Sequence, residues 1–312
     1  MAHEIETMYY VSNEQNGRFV PRHGLGTPVS EALSSAEAIE MAGLNWEVES
    51  RPVYVCEKEV AGYRANVRAT DNSVLGIVSN RYSIVQNRDA FDFTDMLLGE
   101  GIKYETAGSL KNGKRIWLNA KLDTVSILGD TVEPYMVFTN THDGTGAIKI
   151  AMTPIRTVCN NTLNLALRSA SRTWSAKHMG DMASKLDEAK ECLGLARHYM
   201  TQLAEEADKL ANTKITGEDV GKVIVNLFPI AKEATDRQKR TTQTARDDFM
   251  ACYLAPDIQK FIGTKWGLIN AASDFAGHRV PTRNTTTYAE NNFSKIIDGH
   301  PILDKVCSMV ND

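Results

Sequence analysis

Between residues 52 and 153 the apolar pattern repeats every two residues, and turn chemistry interrupts it at short intervals. Val53 and Val55 alternate with Tyr54 and Cys56, and Tyr63, Ala65, Val67 and Ala69 alternate with Arg64, Asn66, Arg68 and Thr70. Successive side chains on a strand point to opposite faces, so each run predicts a half-buried strand with one wet face. Asp71-Asn72-Ser73 favours a turn, because short polar side chains bond their own backbone, and Val74 to Ser79 returns as the hairpin partner. In Lys111-Asn112-Gly113-Lys114 the Asn-Gly pair tolerates the positive φ of a tight hairpin loop. In the strand that follows, Ile116, Leu118, Ala120 and Leu122 face one way, and Arg115, Trp117, Asn119 and Lys121 the other. Two more strands, Pro134 to Thr141 and Thr145 to Thr153, join through His142-Asp143-Gly144. Such short connections suit antiparallel pairs, since parallel strands need crossovers of about a dozen residues or more.

The flanks are different. Arg18 to Val29 is rich in Gly and Pro and predicts an extended loop; Ser30 is the expected cap of a helix bearing Glu31 and Glu37, stopped at Gly43. Asn87 caps a helix through Leu98, and Thr157 to about Ser171 forms another. Leu186, Ala189, Leu193, Ala196, Met200, Leu203, Ala207 and Leu210 make a heptad-like stripe, which can either bury in its own core or pack subunits together. Thr216 with Asp219 resembles a capping box for a helix ending before Pro229. Asp236 to Leu254 is a polar helix, and residues 260–300, with clusters of Gly, Asn and Thr, are expected to be irregular. Strands first and helices afterwards define an α+β fold: an antiparallel sheet of hairpins backed by helices, followed by a mostly helical C-terminal part. The expected division is an N-terminal loop and helix over 1–50, a sheet and helix core over 51–180, and a helical region over 181–312.

Motifs of bond chemistry are absent. Gly24-Leu25-Gly26 lacks the strand-then-helix setting of a dinucleotide loop and the Lys-Ser/Thr of a P-loop. The seven histidines have no metal-pair spacing, there is no Gly-x-Ser-x-Gly elbow, and Asp247-Asp248 point in different directions on a helix. His142-Asp143 is more cheaply explained as a turn than as an acid/base pair. No enzyme, cofactor or metal is expected. Five cysteines without a Cys-x-x-Cys pair suit free thiols in a reducing compartment. With no apolar run of signal-peptide length at the start and none near the roughly 20 residues of a membrane helix, a cytoplasmic protein without membrane contact is expected.

Local charge is more informative than the net charge of -4. No acid occurs from Thr106 to Leu122, where Lys111, Lys114, Arg115 and Lys121 surround Trp117. None occurs from Gly144 to Gly180, which holds Lys149, Arg156, Arg168, Arg172 and Lys177. Single-stranded nucleic acid asks for cations to neutralise phosphates and an aromatic ring on which a base stacks, worth about 1–3 kcal/mol per base. The face of Arg115, Trp117, Asn119 and Lys121 offers both, unless a helix covers Trp117 and the cations merely snorkel at its rim.

Several segments resemble a phage/plasmid-like family long classed as a domain of unknown function. They are Gly24 to Pro28, Ala42 to Glu49, Leu75-Gly76-Ile77-Val78-Ser79-Asn80-Arg81-Tyr82 and on to Asn87, Glu105 to Leu110 with Gly113 to Trp117, Arg156 to Leu163, and Gly263 to Ala271. The layout is also similar to that of the single-strand annealing proteins of phages and eukaryotic recombination, which have a curved antiparallel sheet backed by a helix and assemble into rings or filaments. That resemblance implies an ATP-independent protein that binds and anneals single-stranded DNA as a homo-oligomer in a phage-infected or plasmid-bearing bacterial cell, beside a host or phage single-strand-binding protein. Arg115, Trp117 and Lys121, with Lys111 and Lys114 in the preceding turn, would touch the strand. Lys149, Arg156, Arg168, Arg172 and Lys177 would hold phosphates, and Arg81 and Tyr82 are candidates by composition. The alternatives are a phage protein that modulates a host defence or replication protein through its acidic segments, and an enzyme of nucleotide metabolism with an unfamiliar site.

Overall fold

A computed structural model describes residues 5–11, 27–98, 103–156, 161–162, 173–278 and 300–311. The expected α+β architecture is present, but the hairpins divide between two sheets. The large sheet runs β11-β10-β9-β7-β6-β1-β2, with β12 also on β10 and β8 on β9. Its members are β1 (Ile5–Val11), β2 (Thr27–Val29), β6 (Tyr104–Leu110), β7 (Arg115–Lys121), β8 (Val125–Ile127), β9 (Asp130–Thr141), β10 (Ile148–Arg156), β11 (Asn161–Thr162) and β12 (Thr173–Ala176). All these pairings are antiparallel except that of β1 with β2. The small sheet is β3 (Val48–Val55), β4 (Lys58–Arg68) and β5 (Val74–Ser79).

The inner face of the large sheet carries Ile116, Leu118, Met136, Phe138, Ile150 and Met152 into one continuous core. Helices complete that core: α1 (Ser35–Met41), α2 (Asn87–Leu98), α3 (Met182–Asn212), α4 (Gly217–Leu227), α5 (Asp236–Tyr253), α6 (Lys265–His278) and α7 (Pro301–Asn311). The stripe of α3 goes into this core: Ala189, Met200, Leu203, Ala207 and Leu210 are buried there, so the described part of the stripe is not a free subunit surface. The side chains of Leu186, Leu193 and Ala196 lie outside the described part.

Several expectations are corrected. The cap of α1 is Ser34, not Ser30, because Glu37 stands three residues on and completes a capping box. Residues 265–278 form a helix rather than irregular chain: buried Trp266, Leu268, Ile269, Ala272 and Phe275 tie it to the core despite its Gly and Asn content. Most of the helix expected over 157–171 lies outside the described residues, but Asn161 and Thr162 pair with Arg156 and Ile155 as a strand. The N-terminal segment Ile5–Val11 is a strand of the large sheet.

The two sheets meet at a polar seam. Asn66 of β4 donates to the His142 carbonyl at 2.7 Å, and the His142 ring lies 2.9 Å from Asn87 at the start of α2. Asn87 in turn donates to the carbonyls of Leu44 and Trp46. Gly76 permits the approach, because a Cβ there would lie 2.4 Å from the Asp143 Cα. Arg68 makes a two-pronged contact with Glu6 of β1 at 2.6 and 2.8 Å, and its guanidinium sits over the Trp46 ring at 4.5 Å.

Candidate nucleic-acid interface

The outer face of the large sheet is built by cross-strand registration. Met8, Gly108, Trp117, Thr139, Lys149 and Ser175 are successive partners in one row across β1, β6, β7, β9, β10 and β12. Arg115 and Thr141 lie in the adjoining row, and Lys121, Tyr135 and Thr153 in another. On β12 the alternation leaves Thr173 and Ser175 exposed, with Lys177 just beyond them, while Trp174 and Ala176 are half-buried. Four of the expected cations thus come to one side of the sheet from three segments: Arg115 and Lys121 from β7, Lys149 from β10 and Lys177 from the end of β12.

Trp117 is not the open platform expected of it. It is only 6 % exposed, packed with Met8 and Leu110 and flanked by Tyr10. Its ring lies over Gly108, the one residue of the row without a side chain; a Cβ at Gly108 would fall 2.5 Å from the ring. No ring face is therefore left for a base. Lys121 is also engaged. Its Nζ lies 2.9 Å from Glu133 and 3.8 Å from Glu105, and the Tyr135 hydroxyl donates to Glu105 at 2.9 Å. The stretch around Lys121 is free of acids along the chain but not in space, because β6 and β9 bring carboxylates from either side. Burial together with these two carboxylates holds the Tyr135 phenol well above its ordinary pKa, so it remains a donor.

Tyr82 is spent on structure too. Its ring stacks on His178 at 4.5 Å with an 11° interplanar angle, and its hydroxyl donates to the Thr141 carbonyl. The His178 ring is 3.0 Å from the Ser83 carbonyl, which fixes Nδ1 as the protonated nitrogen, and burial lowers its pKa. Arg81 is exposed beside this ribbon, where Tyr82 bridges to Met179. The Ser83 amide donates to the His178 carbonyl beside that bridge, next in the chain to Lys177.

Lys111 and Lys114 are half-buried in the β6–β7 turn, the former at a φ of 54°, and the Lys114 carbonyl accepts from the His142 amide. Arg156 ends β10, with its side chain outside the described part; Arg168 and Arg172 lie outside the described residues altogether. Sequence reasoning did not find Ser175 and Thr173, which the β10–β12 pairing sets next to Lys149 and Ala151. Nor did it find that Asn119 Oδ1 and Thr153 Oγ1 on this face are buried and, among the described residues, lack a hydrogen-bond partner. Among the described residues no group of three or more His, Cys, Asp or Glu side chains could hold a metal ion, and no helix is long and apolar enough to cross a membrane.

No curated protein and no solved structure matches the chain. A family match covers residues 74–296, from the first residue of β5 to beyond α6; it includes β6, β7, β9, β10 and β12 of the outer sheet face and, of the polar seam, Gly76, Asn87 and His142 but not Asn66, Arg68 or Trp46. By that match the chain belongs to the family described as a domain of unknown function, DUF932.

Proposed function

We propose that this protein binds single-stranded DNA along the outer face of the large sheet and anneals it without nucleotide hydrolysis. The observation that carries the reading is the convergence of Arg115, Lys121, Lys149 and Lys177 on one face from three segments, β7, β10 and the end of β12. Contacts of this kind neutralise phosphates and leave bases exposed for pairing. At the β12 end Lys149, Ser175 and Lys177 adjoin, the last two exposed; the end near Trp117 is closed by Met8 and Leu110. Binding is therefore through the phosphate backbone, with no stacking on Trp117. The likeness to annealing proteins is one of layout, and it adds only to the prior.

Anisotropy titrations of labelled single-stranded and duplex DNA at about 50 and about 200 mM salt test this, because each phosphate contact steepens the salt dependence. The expected result is salt-sensitive binding with a preference for the single strand, weakened about tenfold or more by the pair Lys149→Glu and Lys177→Glu. Absence of binding to either nucleic acid at the lower salt removes the proposal.

A second reading, docking on another protein, is favoured by the small sheet. Tyr54, Val55, Tyr63, Val74 and Ile77 are all more than half exposed there, a concentration of apolar surface typical of contact sites. If that reading holds, Tyr63→Lys with Ile77→Lys abolishes partner capture and leaves DNA affinity unaltered.

A further inference from the structure

The stretch Pro229–Thr244 is unlike the rest of the helical region. None of its residues is buried, and only Ala234 and Thr242 are half-buried. It comprises the loop after α4 and the first half of α5. The second half of α5 is anchored by buried Ala245, Phe249 and Tyr253, and Arg246 donates to the Phe228 carbonyl at 2.7 Å. Half of an 18-residue helix thus stands free of the core.

Its sequence is not explained by helix stability. Thr235 and Gln238 form a capping box, and Asp236 lies 3.8 Å from Lys239. Arg237, Lys239 and Arg240, however, occupy the first two turns, where the positive end of the helix dipole disfavours cations. Among the described residues neither Arg237 nor Arg240 has an ion-pair partner to offset this. Spacing of three and four puts Arg237, Arg240 and Thr244 on one row, opposite to the side on which Phe249 and Tyr253 enter the core. Over Pro229–Thr244 the cations Lys232, Arg237, Lys239 and Arg240 outnumber the acids Glu233 and Asp236, in a chain of net charge -4. A local arrangement that breaks a stability rule without compensation points to function. A phosphate resolves the conflict, since it would meet both the guanidinium groups and the positive helix end.

We propose that the free half of α5 is a second nucleic-acid contact, gripping backbone phosphates through Arg237 and Arg240. It rests on the single-strand-binding reading and adds a contact distant in sequence from the sheet face. The partner is a polyanion rather than an apolar surface, because the row offers two guanidinium groups and no apolar side chain, and the Thr244 hydroxyl is already spent on the Arg240 carbonyl.

The test uses the full chain and three forms of it: wild type, Arg237→Gln with Arg240→Gln, and Lys149→Glu with Lys177→Glu. Labelled oligothymidylate is titrated against each at two salt concentrations, and thermal midpoints are measured alongside. The arginine pair is expected to bind about tenfold more weakly, with a salt slope shallower by about 1.4 for two lost contacts to a single strand. Its thermal midpoint should be unchanged or higher, since the dipole conflict is gone; a merely structural role for the arginines would lower it. Wild-type affinity and slope in the arginine pair, with loss in the lysine pair, overturns the proposal and leaves the sheet-face reading standing. The reverse pattern retains α5 and overturns the sheet face. No binding by the wild type overturns both.

Discussion

His142 shows what a buried polar residue costs this protein. It is wholly buried, edge-on to Trp46 at 5.5 Å, and its Nε2–H donates to Asn87. Its Nδ1 has no partner among the described residues. Burial holds its pKa down to about 3; the charges of His178 and Arg68 act in the same direction and Asp143 opposes them. An unfolded histidine titrates near about 6.5, so below that pH the unfolded chain takes up a proton that the folded chain refuses. Stability is therefore complete above about pH 6.5 and falls as the pH drops toward the folded value. His178, also depressed by burial, adds to the same trend. Between about pH 7.5 and about pH 5 the His142 contribution alone is a loss of ~2 kcal/mol. Urea unfolding of wild type and His142→Gln at these two pH values measures it. The variant should be weaker at the higher pH and lose less on acidification; equal losses in both would place the acid sensitivity elsewhere.

Individual strands and helices were legible where the cause is local. Asn112 and Gly113 at φ of 56° and 82° form the turn that their chemistry demands, and the box at Thr216 caps its helix. Period two located β4, β5, β7 and β9, but it does not say which sheet a strand joins. That is decided by long-range pairs such as Met8 with Gly108, where a single strand from the N-terminus closes over β6. The wet face assigned to β7 failed for the same reason: alternation separates two faces, but the cover over Trp117 comes from Met8 and Leu110 on other strands. Likewise nothing near Lys121 in the chain announces Glu105 and Glu133. Gly108 is the element-level test of that packing. A Cβ there would lie 2.4 Å from the Thr7 carbonyl oxygen, so the strands must part as well as the ring move. Gly108→Ala is expected to cost about 1–3 kcal/mol, read from the thermal midpoint, and to open Trp117 to acrylamide quenching. DNA affinity well below the midpoint should stay at the wild-type value, because Trp117 does not stack on bases; a selective loss of affinity would return Trp117 to the interface.

At the scale of the whole molecule the polar seam joins what the hairpins leave separate. Gln86 pairs with both backbone groups of Val48, Asn140 donates to the Val85 carbonyl, and Tyr82 reaches Thr141, so the segment between β5 and α2 is stitched to both sheets. The residues Leu75 to Asn87, one of the segments that carry the family resemblance, thus build architecture through Gln86, Tyr82 and the Val85 carbonyl, while Arg81 stays exposed. Asn66 and Asn87 hold His142 from opposite ends, one at its carbonyl and the other at its ring. Removing either leaves a buried group unsatisfied, at a cost of about 1–3 kcal/mol. If the seam is one cooperative unit, the first loss already loosens His142 and the second costs less. Asn66→Ala with Asn87→Ala should then fall short of the sum of the single variants by ~0.5 kcal/mol or more in urea unfolding. Additive costs would mean that the small sheet and α2 are held independently. Asn140 and His142 face the inner side of β9, whereas Thr139 and Lys149 belong to the outer row. If the proposed interface holds, the same variants should therefore lose stability while keeping the affinity for single-stranded DNA, a separation that would place folding and binding on opposite faces of one sheet.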